Sequence, residues 1–97
     1  MLAITGSVLA LTGDLSFRTA KRVFGQLITA IDEQPAGATM RLDLAGVHKS
    51  DSAGLALLLE TMAVARSVGK RLAVVNLPES LRTLAQITEV ESILQAA

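Results

Sequence analysis

Asp51-Ser52-Ala53-Gly54 sets a carboxylate, a hydroxyl, a small apolar residue and a glycine side by side. The four lie between a strand-like run, Met40-Arg41-Leu42-Asp43-Leu44, and a helix-like run from Leu55 to Glu60. Ser52 therefore falls at a helix start, where backbone N–H groups lack intrahelical partners and the helix dipole is positive. A hydroxyl there suits a phosphate group or a tight polar contact with another protein. Capping is the plainer duty, because Ser and Asp are both favoured at that position, and the two roles can coexist. Asp51 reads equally as a cap and as a polar contact at the rim of a docking surface. Gly54 costs a helix about 1 kcal/mol relative to Ala. Either close packing or the close approach of a partner would account for it.

His48 stands just upstream of Ser52 and invites a Ser–His nucleophile. That chemistry needs a third orienting group and an oxyanion site. Asp43 is the nearby acid, and its place on the preceding strand suits a different duty: a hydrogen bond to the adjacent loop, or a pair with Arg41. His48, Lys49 and Ser50 read as loop residues bordering the docking surface. Arg66, Lys70 and Arg71 form a small basic cluster at the end of the second helix, where they suit the negative end of its dipole.

The totals narrow the classes further. Ninety-seven residues, 51% of them apolar, make one domain over residues 1–97 with a single core. Aromatics are only 2% (Phe17 and Phe24), which argues against base stacking on single-stranded nucleic acid. Nine basic and nine acidic residues cancel, so no polybasic surface for DNA or membrane is expected. With no Cys and one His, disulfides and Cys- or His-rich metal sites are excluded, and no cofactor is expected. The longest stretch without charge, Met1 to Gly13, is too short for the roughly 20 apolar residues that span a bilayer. No basic leader precedes it, so a cytoplasmic protein is expected.

The elements that must position Ser52 follow from periodicity. Val8-Leu9-Ala10-Leu11 reads as a strand closed by a Thr12-Gly13-Asp14 turn, with a shorter strand around Ile4 linked to it by Gly6-Ser7. Ser16 is the expected cap of a first helix. Its apolar stripe is Ala20, Val23, Phe24, Leu27, Ile28 and Ile31, and Pro35 and Gly37 end it. A strand follows at Met40 to Leu44, then a loop at Gly46–Ser50. The second helix shows Leu55, Leu58, Leu59, Met62 and Ala65 on one side, and Gly69 stops it. Ala56 and Leu57 fall off that stripe near Ser52, so one or both are candidates for exposed contacts. Leu72 to Val75 reads as a buried strand, and Pro78 opens a third helix. Val90, Ile93 and Leu94 make a closing amphipathic turn. The alternation implies an α/β domain, with a mixed sheet of about four strands and helices packed against it.

Leu42-Asp43-Leu44-Ala45-Gly46-Val47, followed by Asp51-Ser52-Ala53-Gly54-Leu55, resembles the signature of STAS domains, and the resemblance covers essentially the whole chain. Two branches of that superfamily are relevant. In anti-sigma factor antagonists the serine matching Ser52 is phosphorylated by an anti-sigma factor kinase. In the MlaB branch a bare STAS domain is a subunit of an ABC transporter that maintains outer-membrane lipid asymmetry. The run Ala53-Gly54-Leu55-Ala56 is more similar to the MlaB branch, since antagonists more often carry a second serine where this chain has Ala53. The resemblance implies a non-catalytic adaptor that docks on the transporter's ATPase, and indirectly on its permease. It would do so without inserting into the membrane, peripheral to the inner membrane. The residues it implicates are His48, Lys49, Ser50, Asp51, Ser52, Ala53, Gly54, Leu55 and Ala56, with Ser52 as the possible phosphoacceptor.

Overall fold

Met40, Leu42 and Leu44 do alternate inward, along a strand far longer than their spacing suggests. In a computed structural model that describes residues 1–90, 93 and 94, β1 is Leu2–Thr5, β2 Val8–Leu15 and β3 Thr39–Ser50, with β4 at Arg71–Val75. The helices are α1 at Ala20–Glu33, α2 at Ser52–Ser67 and α3 at Glu79–Ile87. One four-stranded sheet has the order β1-β2-β3-β4, antiparallel at β1/β2 and parallel at the other two pairings. This is the mixed sheet that the alternation of elements implied.

Both parallel crossovers step in the same direction across the sheet. Right-handed connections then place α1 and α2 on the same face. Their buried stripes (Val23, Leu27 and Ile31; Leu55, Leu58 and Met62) cover Leu9, Leu11, Leu42, Leu44 and Leu72. Val8, Thr12, Arg41 and Ala45 point to the other face and are exposed. The order contains no reversal of the kind that opens a ligand crevice at a switch point. What it does bring together is the carboxyl ends of β2 and β3 with the first turns of α1 and α2.

Two expected breaks are absent. The Thr12-Gly13-Asp14 turn and the Gly46–Ser50 loop are both strand, because they pair with each other: Thr12 with Gly46, Gly13 with Val47, Asp14 with Lys49 and Leu15 with Ser50. Register shifts after Ala10 and Gly13 absorb the glycines as bulges, and Gly13 holds φ +98. At Gly46 a Cβ would sit 2.6 Å from Thr12 Cγ2, so a larger residue there would displace the Thr12 side chain. α1 also begins later than its expected Ser16 cap. Ser16 contributes its carbonyl, which accepts from Ala20 N–H at 2.8 Å, while Thr19 Oγ1 donates to the Asp14 carbonyl at 2.9 Å. Pro78 precedes α3 as its cap residue, one position before the expected first turn. The expected closing turn spans residues 91 and 92, outside the described ones; within it Leu94 is buried and Ile93 is not.

Candidate functional site

The Asp51 carboxylate holds the site's geometry. With Asp51 in extended conformation, its Oδ1 accepts from Gly54 N–H at 3.1 Å, which makes it the cap of α2. Its Oδ2 accepts from Phe17 N–H at 3.1 Å and fastens the β2–α1 loop to the start of α2. Hydrogen bonding favours the charged form, so the carboxyl lies below its usual range. The Phe17 amide contributes most; partial desolvation opposes it, and the Gly54 and Ala53 amides add to it. Capping therefore falls to Asp51, and Ser52, the first residue of α2, is exposed, with no hydrogen bond to its hydroxyl among the described residues.

Several neighbours reach the surface beside it. Ala56 is exposed, and Ala53 half-buried, on the outer side of α2's first turns. His48 and Lys49 are exposed at the end of β3, on strand backbone and not on a loop. Ser50 is half-buried, and its Oγ lies 2.6 Å from Ser80 Oγ, which links the end of β3 to the first turn of α3. Ser80 was not foreseen.

Two of the implicated residues turn inward instead. Leu55 is 5% exposed and belongs to the core. Gly54 is buried, and a Cβ added there would overlap the carbonyl oxygen of Leu15. The close approach that this glycine allows is therefore that of the chain's own β2. Of the two residues off the apolar stripe, Ala56 is the exposed one; Leu57 is 6% exposed, between α1 and α2.

No hydrogen bond joins His48 to Ser52 among the described residues, and Asp43 is engaged elsewhere. Its Oδ1 accepts from Asn76 Nδ2 at 3.0 Å and from Ala45 N–H at 2.9 Å. These two bonds, the first the stronger influence, lower its pKa. The expected bond to an adjacent loop is instead one to Ala45 within β3 itself, because the segment after it is strand, and the bond to Asn76 ties β3 to the end of β4. The described residues contain no group of His, Asp and Glu side chains suited to a metal ion, and no helix among them is long and apolar enough to cross a membrane.

Sequence reading also missed Phe17. It is 81% exposed, directly beside the Asp51–Ser52 corner through its own backbone bond. Its signal was negative: an aromatic in a chain with only two, placed before α1 and outside its apolar stripe. A shallow groove of about 350 Å³ runs between α1 and α2, floored by Ala20, Phe24, Ala53 and Leu57.

The fold has known counterparts. The sequence model of a family described as Mlab, STAS domain matches residues 2–95. No curated protein matches the chain in sequence. Among solved structures, the anti-sigma factor antagonist SpoIIAA in its unphosphorylated form is similar at TM-score 0.72 and 21% identity, over 94% of this chain and 81% of that one. An assigned anti-sigma factor antagonist from Thermotoga maritima gives TM-score 0.75 at 18% identity, over 98% and 82%. A sulfate transporter family protein from Wolinella succinogenes gives 0.70 at 19%, over 93% and 71%. At such identities the structural likeness speaks for the fold, and the family match, running nearly end to end, speaks for descent: the chain belongs to the STAS domain family.

Proposed function

We propose that this chain is a non-catalytic adaptor subunit of the MlaB kind, which binds the ATPase of an ABC transporter for phospholipid trafficking through the surface around Ser52. The observation that carries the reading is the match of residues 2–95 to the family described as Mlab, STAS domain. The local chemistry supports it. Ser52 and Ala56 are exposed on one side of a rigidly capped helix start, flanked by Phe17. Small residues and a free hydroxyl let a partner backbone approach, and an aromatic beside them is a common interface anchor. On this reading the protein works in the cytoplasm, held at the inner membrane by its transporter.

The test is affinity purification of the tagged chain from its native host, as wild type and as Ser52→Glu. A negative charge in the first turn is tolerated by the helix itself, so loss of binding would report on the contact and not on the fold. We expect an ABC ATPase with the wild type and its loss with Ser52→Glu, since an unpaired charge buried at an interface is costly. Undiminished recovery with Ser52→Glu would remove Ser52 from the contact.

A second reading has its own support. The similar solved structures include anti-sigma factor antagonists, and the Ser52 hydroxyl is exposed at a helix N-terminus, where a phosphate's charge is favourable. Recovery of a kinase-like anti-sigma factor in the same experiment would make the chain a transcriptional switch with Ser52 as its phosphorylated residue.

A further inference from the structure

The groove between α1 and α2 opens at the Ser52 corner and runs away from it. α1 and α2 both begin at the carboxyl edge of the parallel strands, so the groove has a defined polarity. At its upper end lie Ala20, Ala53 and Lys21; midway are Phe24 and Ala56; at its lower end is Glu60. The floor is apolar. Each of the two ends carries one charged side chain, basic on the α1 wall and acidic on the α2 wall, both exposed. Ala53 and Glu60 are two helical turns apart, about 10 Å along α2. The positive end of the α1 dipole adds to Lys21 at the upper end, that of α2 being occupied by the Asp51 carboxylate, and Arg18 stands exposed three residues before Lys21.

From this we infer that the α1–α2 groove receives an amphipathic helix of the docking partner, with an acidic residue against Lys21 and a basic residue against Glu60 two turns away. The inference rests on the reading that the Ser52 surface binds a protein, and it specifies what that protein must present. A groove two turns long fits a helix in preference to a strand, because apolar side chains at i, i+3 or i+4, and i+7 repeat over that distance on one helix face. Alanine at two positions of the α2 wall lets a second helix axis come close. Phe17 is exposed in the loop before α1, where a partner segment leaving the groove at this end would meet it. The α1 dipole favours the carboxyl end of the incoming helix at the Ser52 corner, so that helix runs antiparallel to α1 and α2.

Site-specific photo-crosslinking in the native host tests this. p-Benzoylphenylalanine replaces Ala56 in the groove, Lys49 at the rim of the Ser52 surface, or Val8 on the opposite face of the sheet as a control. We expect positions 56 and 49 to crosslink to one protein and Val8 not to. The peptide captured from position 56 should carry the apolar repeat, with an acid and a base two turns apart. If that protein is an ABC ATPase, the adaptor reading stands with the groove; if it is another protein with such a helix, the groove assignment stands and the transporter reading falls. Crosslinking from Lys49 without Ala56, or from Ala56 to a segment lacking the repeat, overturns the groove assignment while leaving the Ser52 surface in place. Absence of crosslinks from both positions overturns both. As a second measurement on the purified complex, Lys21→Glu should weaken binding about tenfold, mainly through slower association at low salt. Reversing the partner's facing acid should restore it. Unchanged affinity for Lys21→Glu would refute the assigned charge pairing.

Discussion

Gly54 illustrates how sequence can leave two accounts of one position, close packing or a partner's approach, that only the fold separates. A glycine in the first turn of a helix signals close approach, and close approach is what the structure shows, but to Leu15 of the chain's own β2. Sequence identifies that space is needed without saying which neighbour needs it. Gly54→Ala offers a clean trial. Alanine would gain about 1 kcal/mol in helix propensity, but its Cβ would overlap the Leu15 carbonyl oxygen and press to within 3.1 Å of the carbonyl carbon. Backbone must then move, and overpacking of that kind costs typically about 1–3 kcal/mol. The clash should win, and a thermal melt should show the variant several degrees below wild type. A rise in melting temperature would mean that β2 and α2 are free to separate.

At the scale of elements, helices were more legible than strands. The apolar stripes of α1 and α2 follow a 3.6-residue period that local sequence carries by itself. Gly69, at φ +74, does end the second helix region as expected. β2 and β3 instead run on through Thr12-Gly13-Asp14 and Gly46–Ser50, segments rich in turn formers, because each finds its hydrogen bonds in the other. Such pairing is tertiary context, which overrides local propensity. The basic cluster after α2 gives a similar lesson. Lys70 serves a different helix from the one assigned to it: its Nζ donates to the Ile31 carbonyl at 2.7 Å, at the carboxyl end of α1. No spacing in the sequence links positions 31 and 70. Lys70→Met keeps the apolar stem and removes the charge from that helix end, which is worth about 0.3–1 kcal/mol. Chemical denaturation should show a loss of that size, and an unchanged midpoint would take away the role of Lys70 at the end of α1.

The whole molecule is fastened near the candidate site by two carboxylates that each bridge distant parts of the chain. Asp51 joins the Phe17 loop to α2, and Asp43 joins β3 to Asn76 beyond β4. Asn76 itself sits at φ +56, a conformation that Asn tolerates better than most residues. Both carboxyls titrate below their ordinary range, through Asn76 and the Ala45 amide at Asp43 and chiefly through the Phe17 amide at Asp51. The folded protein thus releases these protons more readily than the unfolded chain, whose Asp residues titrate near about 3.9. Between the two ranges the unfolded state binds more protons, so stability must rise with pH there. The contribution is complete above about pH 5 and disappears as pH falls through the lowered folded values. Urea midpoints measured from neutral to strongly acidic pH should therefore be flat at first and then drop. In an Asp43→Asn, Asp51→Asn double variant the neutral midpoint should be lower and the acid drop shallower, because the linked protonations are gone. An acid limb as steep as that of wild type would assign the pH dependence to other carboxylates. It would also leave the Phe17–Asp51 corner held by packing instead of charge.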